Sequence, residues 1–560
     1  MRVCRVRIEN FRSIKEVDFT PGTYCVLIGE NNAGKSNILR ALNLILGESW
    51  PSERSFSDED FHDQDTTKDI VIQVYFDEVI PQNQNGLAME VAGFQLCCKA
   101  YKKRTGSKAQ GTLHTDYNCI NRDGKVLKFP PQPFKKGEKP SGYWPDLRVS
   151  AALREQIPLI YIDVLREYDR QNPGNRWSVL RKLFNEVNTE FLTSKEQITV
   201  TLPDGSKRKM TRKEAFEQSV TEAYQFLRTS SFQEIEKKLA ENVIEQMGIG
   251  SGEGEILLRF ATHDPTHVFK TLQLYVEQLG ITSPAGEVGA GLQSAIVVGI
   301  FRTYEQFKRE GALFAIEEPE VFLHPQKARY FESVLQSIAD SGNQVILTTH
   351  SPVFVRIHQP ESVIIIRRNI ARGTWTTQTT KVAIAEDDRR ALRLLTEFDA
   401  QRNELFFARK VLLVEGATEK IALPLALKAL GHDINQLGIS VVECGGKTKL
   451  PLFVKVAKAL EIPYIVLADT DIRVIPAEAD DKKRKAIEED NRKHERWNKD
   501  LEDTTDSGHL FWMTPSFEHE LGLPMKESDK LDRALEKFAV ITKSDLPTSL
   551  IAPIEALMKL

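Results

Sequence analysis

Residues 29–36 read Gly-Glu-Asn-Asn-Ala-Gly-Lys-Ser, which is the pattern G-x-x-x-x-G-K-S. An apolar run of strand type precedes this stretch at 24–28, and apolar residues at helical spacing follow it at 37–46. A loop of this kind can wrap its backbone N–H groups around a polyphosphate, and the N-terminus of the following helix adds partial positive charge. Lys35 would reach the β- and γ-phosphates, and Ser36 would ligate Mg²⁺. The pattern therefore predicts a nucleotide site with these binding residues: Gly29, Asn32, Gly34, Lys35, Ser36 and Asn37.

The size and composition of the chain set broad limits. Its 560 residues are enough for three or four domains, and 28% charged with 41% apolar residues is ordinary for a soluble globular protein. A net charge of −4 gives no overall attraction for nucleic acid, so contact with a polyanion would need local basic surface or metal ions. The six cysteines form no C-x-x-C pair, which disfavours a zinc ribbon and a disulfide framework. No apolar run reaches about 18 residues and no signal peptide is recognisable, so we expect a cytoplasmic protein without membrane contact.

A second group of polar residues lies about 280 residues beyond the loop, at the ends of two apolar runs. The run 313–316 leads into Glu317 and Glu318, and the run 344–349 leads into His350. Glu317 is predicted to hold the Mg²⁺ shell of the nucleotide, Glu318 to polarise the attacking water, and His350 to sense the γ-phosphate. Taken singly, each residue could equally mark a strand end or a helix cap. Their order behind Lys35 favours one nucleotide-hydrolysing site.

This set resembles the ABC-type ATPases of the SMC and Rad50 class. The phosphate loop, the turn Gly-Ala-Gly-Leu-Gln-Ser at 289–294, Ile-Glu-Glu-Pro-Glu at 316–320 and Thr-His-Ser at 349–351 stand in the order of that class. The resemblance implies that the signature-like turn of one protomer completes the ATP site of another. Glu317 stands where most of the class has aspartate, and its longer side chain could still reach the metal shell.

A second acidic constellation follows near the C-terminal end. An apolar run at 411–414 ends at Glu415, and Glu419 lies one helical turn further on. A second apolar run at 463–468 is followed by Asp469 and Asp471, which share a face if the strand continues. Two parallel strands that deliver acids at their carboxyl ends form a crevice, and carboxylate oxygens suit Mg²⁺ or Mn²⁺. The spacing therefore predicts a divalent metal site.

The acidic pattern resembles the Toprim domain of topoisomerases, primases and some nucleases. Nuclease versions carry a further acid for a second ion; Glu518 is the candidate here, with Glu520 as a weaker one. Two ions about 4 Å apart would activate water and stabilise the leaving oxygen of a phosphodiester. Lys543 is the candidate catalytic lysine, and Lys447 competes with it for that role. The mixed charges of 480–500 favour an exposed helix over an arm that contacts DNA.

The whole chain resembles the OLD (overcoming lysogenisation defect) nucleases, through the stretches 317–326, 349–352 and 414–419. The fold implied is α/β: an ABC-type, SMC- or Rad50-like ATPase with an inserted helical dimerisation subdomain, followed by a Toprim α/β domain. The resemblance also implies ATP-linked, metal-dependent cutting or nicking of DNA, homodimers or higher homo-oligomers, and a role in defence against phage. In Gabija-like systems the partner is a helicase. A topoisomerase-like strand passer and a non-cutting SMC-like DNA sensor or clamp are the alternative hypotheses.

The predicted organisation has five parts. The helical character of 177–247, broken by one turn signal at 202–205, indicates an insertion within the ATPase. The predicted boundaries are 1–165 for the first ATPase part, 166–260 for the helical insertion, 261–370 for the second ATPase part, 371–407 for a polar connector and 408–560 for the Toprim domain.

Overall fold

The computed structural model describes twelve stretches of the chain: 1–47, 49–101, 112–131, 143–163, 179–201, 205–247, 272–278, 280–307, 311–379, 384–396, 400–523 and 530–560. These stretches belong to two compact units. The first comprises Met1–Val164 and Arg309–Leu560, and the second comprises Leu165–Lys308.

The strands of the first unit account for three sheets. Those of the ATPase region are β1 (Val3–Phe11), β2 (Ile14–Phe19), β3 (Tyr24–Gly29), β4 (Ile70–Gln84), β5 (Leu87–Ala100), β6 (Leu113–Ile120), β7 (Leu159–Ile162), β12 (Leu313–Glu317), β13 (Gln344–Thr348), β14 (Val363–Asn369) and β15 (Gly373–Gln378). Those nearer the C-terminus are β16 (Lys410–Val414), β17 (Ile439–Glu443), β18 (Tyr464–Asp469) and β19 (Leu510–Met513). The strands of the second unit are β8 (Gln197–Thr201), β9 (Lys207–Thr211), β10 (Tyr275–Gln278) and β11 (Ile281–Pro284).

The helices lie between these strands. They are α1 (Lys35–Leu46), α2 (Ala151–Arg154), α3 (Val179–Thr193), α4 (Arg212–Leu227), α5 (Ser230–Met247), α6 (Ala290–Phe307), α7 (Pro325–Asp340), α8 (Glu386–Thr396), α9 (Ala417–Ala429), α10 (Ile434–Leu437), α11 (Leu450–Ala459), α12 (Asp481–Thr504), α13 (Phe517–Glu520), α14 (Lys530–Ala539) and α15 (Thr548–Lys559).

The ATPase region is built from two sheets that share one core with α1. The five-stranded sheet has the order β2-β1-β4-β5-β6 with antiparallel pairs, and the six-stranded sheet has the order β15-β14-β3-β13-β12-β7. Strands β14, β3, β13, β12 and β7 run parallel, and their near-continuous Val, Ile and Leu sequences fit strands that are buried on both faces. The apolar face of α1 packs into the core that contains side chains of both sheets. The carboxyl ends of β3, β12 and β13 therefore open onto the same edge, beside the start of α1.

A fully parallel sheet forms the core of the C-terminal region. Its order is β17-β16-β18-β19, and helices α9, α14 and α15 contribute to the core that covers it. Because all four strands run the same way, the segments that follow them gather at one edge. The run 480–500, predicted as an exposed helix, forms the N-cap and most of α12, of which only Leu501 is buried.

The second unit contains two hairpins and a set of helices. Strands β8 and β9 pair antiparallel around the predicted turn, of which residues 202–204 lie outside the described residues. The sequence analysis predicted continuous helix on both sides of this turn. Instead, Ile198 and Val200 alternate with polar residues at 197–201, a strand pattern too short to stand out within a helical region. Strands β10 and β11 form the other hairpin.

Two predicted boundaries differ from the structure. The connector assigned to 371–407 contains β15, which pairs with β14 and belongs to the ATPase sheet. Its Thr-Trp-Thr-Thr run is polar in composition but strand-forming, because β-branched and aromatic residues favour extended backbone. The second unit ends at Lys308, so the stretch 261–308, assigned to the ATPase from sequence, groups with the insertion.

Two features agree with the composition. The six cysteines are free thiols, and Cys25, Cys98, Cys119 and Cys444 are buried. Within the described ranges, no helix combines the length and apolar character that a membrane crossing requires.

Gln344 joins the two ATPase sheets through buried hydrogen bonds. Its Oε1 accepts from the N–H of Val3 at 3.0 Å, and its Nε2 donates to the carbonyl oxygens of Val3 at 2.8 Å and Gly22 at 2.9 Å. We expect Gln344→Leu to lower the free energy of unfolding by about 2–4 kcal/mol, because buried backbone groups lose their partners. Chemical denaturation of the full chain measures this loss.

Gln378→Leu is the matched control. Gln378 makes the same kind of paired contact with the backbone of Thr20, at an exposed position. Water can replace the lost partner there, so the expected loss is below about 1 kcal/mol. Equal losses for the two variants would contradict the role assigned to Gln344.

Candidate active sites

The phosphate loop connects β3 to α1 in a shape that requires glycine. Gly34 has φ 113°, and a Cβ at this position would lie 2.6 Å from Thr374 Oγ1 and 2.8 Å from Ser13 Oγ. Lys35 is buried, and its Nζ donates to the carbonyl oxygens of Gly29 at 2.9 Å and Glu30 at 3.0 Å. Burial lowers the pKa of Lys35, while the charges of Glu318 and Glu320 oppose this shift. The lysine is thus held against its own loop, at the position from which it would meet a phosphate.

The other predicted loop residues have distinct roles. Asn32 has φ 63°, and its carbonyl oxygen accepts from Arg368 Nη1 at 3.3 Å. Asn37 donates through Nδ2 to Ser13 Oγ at 2.9 Å, which ties α1 to the turn between β1 and β2. Ser36 is exposed, and its hydroxyl lies near enough to Glu317 to lower the pKa of that carboxyl. The structure therefore brings Ser36 and Glu317 together, as a shared Mg²⁺ shell requires.

Glu317 ends β12 as a buried carboxylate. Tyr161 on the neighbouring strand β7 donates its hydroxyl to Glu317 Oε1 at 2.5 Å. Burial raises the pKa of Glu317, and the hydrogen bonds from Tyr161 and Ser36 oppose that shift. Sequence reasoning missed Tyr161, although its place in the apolar run 158–162 indicated a strand that could end beside the others.

The residues after β12 and β13 meet across the strand ends. His350 Nε2 lies 3.7 Å from Glu318 Oε1. Glu320 accepts from the backbone N–H of His350 at 2.6 Å and from Thr349 Oγ1 at 2.8 Å. Burial is the main cause that lowers the pKa of His350, and the charge of Lys35 lowers it further. Glu320, to which the sequence analysis gave no role, fixes the backbone that carries the histidine.

The signature-like turn lies in the other unit. Gly289 immediately precedes α6, and the Gln293 side chain donates to the carbonyl oxygens of Gly286 and Val288 at 2.8 and 2.9 Å. These contacts stabilise the turn that precedes α6.

The C-terminal sheet gathers the second set of acids at one edge. Glu415 follows β16 directly, and Glu419 lies in the first turn of α9, where it is buried. Asp469 ends β18 and is buried, and its backbone N–H donates to Glu415 Oε1 at 2.8 Å. Asp469 Oδ1 in turn accepts from the N–H of Phe517 at 2.8 Å, which places the neighbouring buried Glu518 beside the group.

These acids share one electrostatic environment. Burial raises the pKa of Glu415 and of Glu419 to about 7, and the pKa of Asp469 to about 9. The neighbouring negative charges add to the shift: Glu415 and Glu419 act on Asp469, and Glu518 acts on Glu419. Asp471 also raises the pKa of Glu415. The acids therefore lie close enough to repel one another, as the carboxylates of a cation-binding site do.

The carboxylates do not form a finished ligand cage. Within the part of the chain that the structure describes, no three His, Cys, Asp or Glu side chains are grouped as a ready metal site. Some of their oxygens already have partners within the protein. Backbone N–H groups donate to Glu415 and Asp469, and Lys447 pairs with Asp471. Glu520, the weaker candidate, accepts from the N–H of Thr514 at 2.6 Å and from the hydroxyl of Ser549. Its oxygens thus have structural partners.

The two candidate lysines occupy very different places. Two glycines with positive φ, Gly445 and Gly446, turn the chain after β17 so that Lys447 enters the acidic group. Lys447 is buried, and its Nζ lies 2.8 Å from Asp471 Oδ2. Lys543 is exposed on a short 3-10 turn. Among the contacts described for these residues, none joins Lys543 to the acids, so its catalytic role stays a prediction.

A short segment before β16 touches both sites. Asn403 is buried and donates to the carbonyl oxygens of Pro352 at 3.0 Å and Val355 at 2.7 Å, just after His350. Arg402 donates through Nε to the carbonyl oxygen of Glu443 at 2.9 Å, at the end of β17. The segment 401–403 therefore links the histidine loop to the acidic edge, and neither contact has a sequence signal of its own.

Comparison with known proteins assigns both regions. Residues 1–125 and 150–355 match the model of the AAA ATPase domain, and residues 406–471 match that of the TOPRIM domain of overcoming lysogenization defect protein-like proteins. The chain therefore consists of an ATPase domain followed by a Toprim domain.

Three relatives show how far the similarity extends. The chain is 32% identical to an OLD nuclease of Thermus scotoductus, over 99% of this chain and 98% of that protein. It is 25% identical to the Old nuclease of Escherichia phage P2, over 84% and 77% of the two chains. It is 21% identical to the endonuclease GajA of Bacillus cereus, over 84% and 75%.

Lys447 and Lys543 can be separated by their effect on stability. We expect Lys447→Met to lower the free energy of unfolding in EDTA by about 2–4 kcal/mol, because the acids at the sheet edge lose the lysine charge that compensates them. Lys543→Met, the matched control at an exposed position, should change it by less than about 0.5 kcal/mol. Denaturation in EDTA measures both losses, and an unchanged Lys447→Met variant would contradict the pairing.

Proposed function

The chain belongs to the OLD nuclease family, and from that premise we propose that it is an ATP-regulated DNA endonuclease that depends on divalent cations. The observation that carries the proposal is the edge of the C-terminal sheet. There, Glu419, Asp469 and Glu518 are buried and Glu415 is half-buried beside them, with Lys447 as the cation brought among them. A scaffold gains nothing from buried acids that repel one another, whereas a site for cations and a phosphodiester requires them.

The residues present fit Mg²⁺ or Mn²⁺. The donor set consists of carboxylate oxygens, which hard divalent ions prefer, and several of these acids have raised pKa values that a bound cation would reverse. When bound, the ions would supply Lewis acidity at the scissile phosphate. We assign Glu415, Glu419, Asp469, Asp471 and Glu518 as the holders of two ions, with one further ion alongside ATP.

The protein's own groups orient the reaction. The backbone N–H of Asp469 fixes the Glu415 carboxylate, and the N–H of Phe517 fixes that of Asp469, so both acids are positioned before substrate arrives. Lys447, which lies beside Asp471, would contact a phosphate oxygen of the substrate, and Lys543 is the alternative contact. Water, oriented by these preorganised acids, would attack the phosphorus directly, so no covalent enzyme intermediate would form.

ATP would act at the other site. Lys35 and Ser36 would hold the phosphates and their Mg²⁺ with Glu317, Glu318 would orient the attacking water, and His350 would contact the γ-phosphate. Because Asn403 and Arg402 contact the backbone after His350 and the acidic edge respectively, a movement of His350 reaches the nuclease site through them. The proposal has three further parts, which follow from the resemblance to the OLD family and from the GajA relatives. They are pairing of protomers through the inserted helices, a role in defence against phage, and a helicase-like partner.

The nuclease assignment can be tested on supercoiled plasmid. With Mg²⁺ or Mn²⁺ we expect nicked or linear product, and Asp469→Asn should reduce the cutting rate at least about 100-fold, since the carboxylate that holds the cation is gone. Asp500→Asn, an exposed acid on α12, is the control that should cut normally. Agarose gels follow the conversion. Religated topoisomers would support the strand passer, and retained but intact plasmid would support the clamp.

The coupling between the sites can be tested with two variants. Lys35→Ala should reduce ATP turnover at least about 100-fold, because the γ-phosphate loses its cation, and should abolish the effect of ATP on cutting. Asn403→Ala should retain turnover and yet weaken the effect of ATP on cutting. Phosphate release and plasmid nicking are measured in parallel. A full ATP effect in Asn403→Ala would exclude the segment 401–403 as the link.

A further inference from the structure

Helix α12 lies beside the acidic site through one of its faces. Asn498 donates to the carbonyl oxygen of Thr470 at 2.9 Å, and His494 Nδ1 lies 3.4 Å from Asp471 Oδ2. Asn491 exchanges two hydrogen bonds with the backbone of Arg473, at 2.9 and 3.0 Å. Positions 491, 494 and 498 repeat at helical spacing, so they form a single stripe. The helix is therefore fixed along the segment that follows Asp469.

The opposite end of α12 carries a dense positive charge. Lys482, Lys483, Arg484 and Lys485, here called the basic quartet, are all exposed. In the described part of the chain no ion pair is recorded for the quartet, whereas Arg492 and Lys493 further along the helix pair with Glu488 and Glu489 at 3.9 and 3.6 Å.

The position of the quartet is unfavourable for the helix itself. Cations at a helix N-terminus oppose the helix dipole, and adjacent cations repel one another. Acidic residues are the stabilising choice at such a position, as Asp480 shows by capping the N–H of Lys483 at 2.7 Å. Helix stability therefore does not account for the quartet.

The distance along the helix suits a nucleic-acid duplex. The quartet lies nine to twelve residues before His494, which at 1.5 Å per residue is about 14–18 Å along the axis. A duplex advances about 3.4 Å per base pair, so this length corresponds to about four or five base pairs. A duplex with one phosphate at Asp471 can thus place its backbone along α12 at the quartet.

We propose that the basic quartet binds the phosphate backbone of double-stranded DNA about four or five base pairs from the phosphate that is cut. The inference rests on the proposed nuclease function and adds to it the surface that holds the flanking duplex. The contact is with phosphates, so it contributes affinity without sequence preference.

The test measures duplex binding by the full chain in EDTA without nucleotide. A fluorescent 30-base-pair duplex is titrated at several salt concentrations, with wild type and with Lys482→Gln, Lys483→Gln, Arg484→Gln and Lys485→Gln combined. We expect affinity on the order of 100-fold weaker near 0.15 M salt, and a slope of log K against log salt that is less negative by about 2–3.6. Glutamine retains helix propensity, and an unchanged melting temperature confirms folding.

A second variant separates location from net charge. Arg533, Lys68, Lys99 and Lys128 are likewise one arginine and three lysines, they lie outside the inserted helices, and each has an acidic partner. Changing these four to glutamine alters the net charge equally, and we expect affinity and salt slope close to those of wild type. Equal weakening by both sets would overturn the proposal, because net charge alone would then explain the loss.

Other outcomes are equally decisive. If the quartet variant binds duplex DNA like wild type, the proposal fails even where Asp469→Asn confirms the nuclease. If the wild-type protein binds duplex DNA through the quartet but does not cut plasmid, the proposed nuclease function is wrong and the proposed DNA-binding surface is still supported. If the quartet alters affinity for double-stranded RNA alone, the assignment to DNA is wrong.

Discussion

The burial of like charges at the ends of parallel strands is the constraint on which this structure depends. A carboxylate removed from water is stable only when hydrogen bonds or cations compensate it. Both sites solve this problem with backbone and side-chain donors at the sheet edge: Tyr161 and Ser36 contact Glu317, and the N–H groups of Asp469 and Phe517 hold the carboxylates of the second site. The parallel sheets provide the scaffold, because only their strands deliver several acids to one edge.

The two sites compensate their charge differently. At the ATPase site, Lys35 lies against its own loop and close enough to Glu318 and Glu320 to interact with them. At the nuclease site, Lys447 holds one aspartate while Glu415, Glu419 and Asp469 retain raised pKa values. The first site is thus balanced by a buried lysine side chain, and the second keeps a deficit of positive charge. This deficit is the physical basis of the proposal that the C-terminal edge binds cations.

Much of this arrangement could be predicted from sequence, because it is encoded locally. The G-x-x-x-x-G-K-S loop, the apolar runs that end in acids and the spacing of Glu415 and Glu419 each lie within a few residues of chain, and the strands and helices appear where these patterns place them. What escaped prediction depends on contacts between distant segments. Tyr161 acts on a residue 156 positions away, and Lys447 competes with Lys543 on sequence alone. The strand β15 was hidden by polar composition, since its partner β14, rather than its own hydrophobicity, makes it a strand.

The segment 401–403 bears on how the two halves of the protein can be divided. Arg402 holds the end of β17 from a position outside the sheet, and Asn403 anchors that same segment to the ATPase. A fragment that starts at β16 would retain every acid of the nuclease edge and lose the support behind Glu443, whose charge acts on Glu419. The segment 401–403, which precedes the Toprim sheet, therefore supports the nuclease edge. A fragment meant to retain the nuclease site should include this segment together with the strands that carry the acids.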